Sequence, residues 1–315
     1  MDLKPKRLVD GLLFPEGPRW HDGRLWISDM EAHKVIAVDS QGRAEVIVEL
    51  DDRPSGLGWL PDGSLLISSM VDRKLLRLDL GGLSVFADLT EYAGRGLNDM
   101  VVDGQGRAYV DALDSPASSS EIPGRIVLVM PDGSSRLATD DVTSPNGSGI
   151  TADGKTFIVC ESLNSGLRAF DITADGTLVN GRSYAKVDNK MVDGMCLDAE
   201  GAVWVGAIRA GEFLRVLEGG EVTDRIAYDG KTIACMLGGD DRRTLFLLNA
   251  TASPGEIRAA VAAGREPPEL KAWVDTVQVD VPGEDGLRSR RSDNRSTRVP
   301  YQHPPYSTPR KIESM

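Results

Sequence analysis

Short apolar runs separated by glycine-centred turns recur along the chain, and only EIRAAVAAGR (256–265) hints at helical 3.6-residue periodicity. Six segments share one pattern: EGPRWHDGRLWISD, SGLGWLPDGSLLISS, NDMVVDGQGRAYVDA, NGSGITADGKTFIVCES, DGMCLDAEGAVWVGAI and, more degraded, ACMLGGDDRRTLFLLNA. They begin at Glu16, Ser55, Asn98, Asn146, Asp193 and Ala234, so the step is roughly 40 to 50 residues, the length of one four-stranded propeller blade. Each segment opens with a strand, passes through a tight turn such as HDG, PDG, GQG, ADG or AEG, and continues into a strand of alternating or wholly apolar character (RLWIS, SLLIS, TFIVC, AVWVG). A third strand often ends on Asp, as in KVIAVD, KLLRLD and LRAFD. The pattern predicts an all-β chain: a six-bladed β-propeller of four-stranded antiparallel blades. The last unit lacks strands that LKAWVDTVQVDV (270–281) and RLVDGLLF near the start can supply, so terminal strands are expected to close the ring. Gly-His and Trp-Asp pairs of the WD type do not recur in the units.

Composition refines this picture. The 315 residues carry 48 Asp and Glu against 36 Lys and Arg, a formal charge of −12, which argues against nucleic acid and anionic membrane surfaces as partners. Cys160, Cys196 and Cys235 are odd in number, far apart and set in apolar stretches, so they read as buried thiols of a reducing compartment. The start, MDLKPKRLVD, lacks the apolar core of a secretion signal and no apolar run reaches membrane-spanning length; a cytoplasmic location is expected. From Leu287 to Met315 the composition turns basic, with seven Lys and Arg against two Asp and Glu and few apolar residues. The expected organisation is a propeller over 1–286 and a basic, disordered tail over 287–315.

In a propeller the first strand of each blade lines the central channel, so residues at one repeat position form a ring around the axis. Glu16, Asn98, Asn146 and Asp193 open their units, with Ser55 and Ala234 in the other two places. Two carboxylates brought together in a channel repel unless a cation neutralises them, and hard oxygen donors favour Ca²⁺, Mg²⁺ or Mn²⁺ over Zn²⁺. Taken singly, Asn146-Gly147 and Asp193-Gly194 are ordinary turn signals, and Glu16 sits in a rigid Pro-Glu-Gly corner; their common repeat position is what points to a site. No G-x-S-x-G elbow, phosphate loop or H-E-x-x-H motif occurs, and His21, His33 and His303 are too scattered to suggest a triad.

At FPEGPRW (Phe14–Trp20), LND (Leu97–Asp99), SPNGSGITADG (Ser144–Gly154) and VDGMCLDAEGAVWVG (Val192–Gly206) the chain resembles the SMP-30/gluconolactonase/LRE family of regucalcin-like sugar lactonases, from about Leu12 to Val281. The resemblance implies one divalent cation at the channel mouth, Ca²⁺ before Zn²⁺, Mg²⁺ or Mn²⁺, with ligands at Glu16, Asn146 and Asp193 and a substrate contact at Asn98. Many animal members carry an arginine two residues before that asparagine; here Gly96 stands there and Arg95 one earlier, and Ser148-Gly149-Ile150 replaces a common Leu-Asp-Trp. Those departures bear on the substrate. The expected activity is hydrolysis of a small-molecule lactone, most simply a sugar-acid lactone, with the cation polarising the carbonyl and acidifying water, Asp193 taking the proton, and Asn98 and Arg95 holding substrate. Hydrolysis of another ester or an organophosphate, and a non-catalytic metal-binding regulatory role, stay open.

Overall fold

The computed structural model describes residues 3–114, 123–187 and 190–284. Within them, twenty-four strands form six separate four-stranded antiparallel sheets, the blades of a six-bladed β-propeller. From the channel outward, blade 1 is Pro15–His21, Arg24–Asp29, Lys34–Val38 and Ala44–Glu49. The innermost strands of blades 2 to 6 are Pro54–Trp59, Gly96–Val102, Pro145–Ile150, Val192–Leu197 and Lys231–Gly238. Each packs against the innermost strand of the next blade, and Lys231–Gly238 returns to Pro15–His21.

The ring closes as the terminal segments suggest. Lys6–Leu12 is the outer strand of blade 6, paired to Ala272–Gln278 through Lys6↔Thr276, Arg7↔Asp275 and Leu12↔Ala272. Arg7 Nε donates to Asp275 Oδ1 at 2.8 Å across this seam. The helical hint in EIRAAVAAGR belongs to a nine-residue helix, Pro254–Ala262, inserted within blade 6. Ser253 and Glu256 form its capping box, satisfying two otherwise orphaned backbone N–H groups.

The wholly apolar second strands follow from the packing. The buried core is divided into six slabs, one in each cleft between neighbouring blades. A second strand therefore buries both faces. Phe157 and Val159 pack toward blade 3, whereas Ile158 and Cys160 pack toward blade 5. Outer strands have one face in water, and of Ser135–Thr143 only Ala138 and Val142 are buried. No helix among the described residues is long and apolar enough to cross a membrane. The basic tail over 287–315 lies outside the described residues.

Candidate cation centre at the channel mouth

Every innermost strand carries a register shift near its start. In blade 5, Val192 pairs with Ala207 and Met195 with Val205, so Asp193 and Gly194 together oppose Gly206. The same two-against-one arrangement places Asn146-Gly147 opposite Cys160, Asn98-Asp99 opposite Asp111, Ser55-Gly56 opposite Ser68, and Gly17-Pro18, just after Glu16, opposite Ile27. These are β-bulges, which bend a strand and re-aim its side chains. The Asx-Gly pairs read as turn signals are therefore bulges within strands, repeated at one level around the axis.

The glycines explain how this is possible. A Cβ on Gly147 would stand 2.6 Å from Gly194 Cα and Met195 N, and one on Gly56 would stand 2.3 Å from Met100 N. Gly194 has a different neighbour: its Cβ would lie 2.3 Å from that of Ala234 and 3.5 Å from Ile233 O. Gly147 faces Gly194 as Gly194 faces Ala234, so Ala234 is the counterpart of the glycine and the buried Ile233 that of Asp193. The sixth unit of the repeat thus begins one residue earlier than its sequence suggests, because its bulge carries no glycine to mark it.

Hydrogen bonds tie the bulges together from blade to blade. Ser28 Oγ donates to Ser55 O at 2.6 Å, Ser55 Oγ to Asn98 Oδ1 at 3.3 Å, and Asn98 Nδ2 to Pro145 O at 3.4 Å. Asn146 hydrogen-bonds the Asp193 carboxylate, while its Oδ1 accepts from Gly147 N at 2.9 Å. Burial, followed by the charges of Asp193 and Asp99, pushes the Glu16 carboxyl well above its ordinary range, against a hydrogen bond from Gly17 N–H. Burial pushes Asp193 up to about 7, with Asp99 adding to it and the Asn146 hydrogen bond opposing. Glu16, Asn146 and Asp193 are thus brought to one place, and Glu16, Asn98 and Asn146 keep partial exposure at the mouth.

This donor set suits a hard divalent cation. Two carboxylates that resist sharing negative charge gain most from a 2+ ion, and an amide oxygen completes the set without excess charge. Among the described residues no three His, Cys, Asp or Glu side chains are grouped as a metal cluster, so the set depends on the amide. Asn146 would have to rotate its amide to present oxygen rather than Nδ2 beside Asp193.

Arg95 is exposed on the loop before Gly96–Val102, with its backbone N–H bonded to Leu113 O at 2.9 Å. Two charged residues of the channel received no role from sequence reasoning, although both lie inside the quoted motifs. Asp99 follows Asn98 in the blade 3 bulge and is 7% exposed; Arg19 of blade 1 meets its Oδ1 at 2.9 Å. Charged residues in an innermost strand that is otherwise apolar were the available signal. At the far end of the first strand, His21 stacks on Trp59 with ring centroids 3.9 Å apart, a packing role.

Residues 14–251 match the family profile of the SMP-30/Gluconolactonase/LRE-like region. Regucalcin of Gallus gallus is 27% identical over 248 residues, covering 75% of this chain and 83% of that protein. A regucalcin of Agrobacterium tumefaciens, described as a calcium-binding protein, superposes with a TM-score of 0.71 at 21% identity over 87% of this chain and 93% of its own. A gluconolactonase of Xanthomonas campestris superposes with a TM-score of 0.68 at 21% identity, covering 88% and 90% of the two chains. At that identity the two structures speak for the fold.

Proposed function

Because the chain belongs to the SMP-30/gluconolactonase/LRE-like family and carries one buried carboxylate, one partly exposed carboxylate and an amide at the channel mouth, we propose that it is a metal-dependent hydrolase that opens a lactone, in the manner of a gluconolactonase. The observation that carries this reading is that the Asp193 charge bears on the partly exposed Glu16 carboxyl while Asn146 hydrogen-bonds Asp193, in a site where burial disfavours both anions. Calcium is the first choice of ion, in keeping with the calcium-binding relative; Mg²⁺, Mn²⁺ and Zn²⁺ are the alternatives.

Glu16, Asn146 and Asp193 hold the cation, which when bound supplies Lewis acidity at the lactone carbonyl and lowers the pKa of water. Asp193 accepts the proton of the attacking water at a carboxylate oxygen. Burial and Asp99 favour its protonated form in the empty site, so the bound cation would be what holds Asp193 ionised and able to take that proton. Asn98, tethered by Ser55 and Pro145, orients a substrate hydroxyl, and Arg95 reaches substrate from the loop at the rim. A sugar-acid lactone fits these polar contacts.

The test is hydrolysis of sugar-acid lactones before and after exhaustive chelation. Activity is expected to vanish with the cation, to return on adding calcium, and to be lost in Asp193→Ala with the circular dichroism of the wild type. Turnover surviving full metal removal would overturn the reading. Aryl esters and phosphotriesters run alongside separate a lactonase from the other hydrolases. Saturable calcium binding with no turnover on any substrate would point instead to a regulatory protein.

A further inference from the structure

Beneath the mouth, the channel holds a second set of oxygen donors, and a guanidinium is already seated among them. Arg19 belongs to blade 1 and Asp99 to blade 3, so their contact runs through the channel past the inner strand of blade 2 rather than across an interface of adjacent blades. Arg19 Nη1 donates to Pro18 O at 2.8 Å, and Nη2 donates to Asp99 Oδ1 at 2.9 Å and to Met100 O. The side chains are 14% and 7% exposed, so solvent does little to screen the pair. Opposite the Asn98-Asp99 bulge stands Asp111, fully buried, with neither carboxylate oxygen hydrogen-bonded. It lies in the electric field of both Asp99 and Arg19. Two backbone carbonyls, a carboxylate and an unpartnered carboxyl group are what a hard cation takes as ligands.

We propose that Arg19 is a built-in cation: its guanidinium fills a second cation pocket made by Pro18 O, Met100 O, Asp99 and Asp111, and so limits the channel to one exchangeable divalent ion. The same side chain offsets Asp99, whose charge reaches Glu16 and Asp193, and pins the bulge that carries Asn98. Arg19 is in this sense a positioning residue for the centre above it. Only the count of one ion for the native chain rests on the proposed cation centre; the consequence of removing Arg19 does not.

Calcium stoichiometry, by calorimetric titration and by elemental analysis after dialysis, decides the matter. Arg19→Met is expected to bind one more calcium per chain than the wild type. Arg19→Lys, which keeps the charge, should bind no more than the wild type, and Arg19→Met combined with Asp111→Asn should lose the gain. An unchanged count in Arg19→Met overturns the proposal, as does a double variant that keeps the extra ion. If Arg19→Met does not fold, Arg19→Gln takes its place with the same expectations. A wild type that binds no calcium refutes the mouth centre but leaves the difference between wild type and variant as the measure of this pocket.

Discussion

Asp62-Gly63 and Asp193-Gly194 are the same dipeptide put to opposite uses. Asp62-Gly63 makes a hairpin turn in blade 2: Asp62 Oδ1 accepts from Ser64 N at 2.9 Å, and Gly63 takes φ +90° with no atom within 4 Å of where a Cβ would be. Hydrogen bonds from Ser64 hold the Asp62 carboxyl below its ordinary range. Asp193-Gly194 sits in a bulge on an inner strand, where burial pushes the carboxyl up to about 7 and the missing Cβ leaves room for Ala234. In the turn, glycine supplies a backbone angle; in the bulge it supplies space. The outer aspartate is stabilised as an anion, the inner one is not.

The strongest way to break this contrast is to add a methyl group in each place. Gly147→Ala meets backbone atoms of blade 5 that cannot rotate away, so it should destabilise the fold by about 3 kcal/mol or more in urea unfolding. Gly63→Ala should cost about 1–2 kcal/mol, from its left-handed backbone alone. Equal losses would mean that the bulge glycines are not close-approach sites.

A second comparison uses pH. With chelator present, Asp193 is protonated in both states below about pH 4. Between there and its folded value of about 7 the unfolded chain ionises it and the folded chain does not, so stability falls as pH rises through that window. The wild type should therefore lose about 3 kcal/mol relative to Asp193→Asn between pH 4 and 7. Asp62, with its lowered value, works in the other direction: its contribution is present above about pH 4 and fades as pH falls further. A difference between wild type and Asp193→Asn that ignores pH would remove the electrostatic half of the contrast. The smallest effect is expected at the turn itself. Asp62→Ala should lower stability by about 1 kcal/mol, since it removes one part-buried hydrogen bond from Ser64 N–H and an exposed one from Arg77 that water can replace.

The propeller was legible because its evidence is local and repeated. A two-residue turn, a strand and an apolar partner recur at blade spacing, and each can be recognised without knowing what lies beside it. Glu16, Asn98, Asn146 and Asp193 could be picked out for the same reason, by their shared place in the unit. The sixth unit shows where this fails. With no glycine at its bulge, ACMLGG aligns on Ala234, and only the contact with Gly194 identifies Ile233 as the ring position. Arg19 and Asp99 were visible as charges in inner strands, but their pairing joins residues 80 positions apart on non-adjacent blades.

Sequence alone determined the number of blades, the strand order within them and the ring position in five of the six, since hydrogen-bonded neighbours in a meander are also neighbours in the chain. Tertiary structure decided which Asp-Gly pairs are turns and which are bulges, which carboxylates resist ionisation, and that a guanidinium lies in the channel. Those properties depend on the distance between blades and on exclusion of water from the channel, and both exist only once the ring has closed.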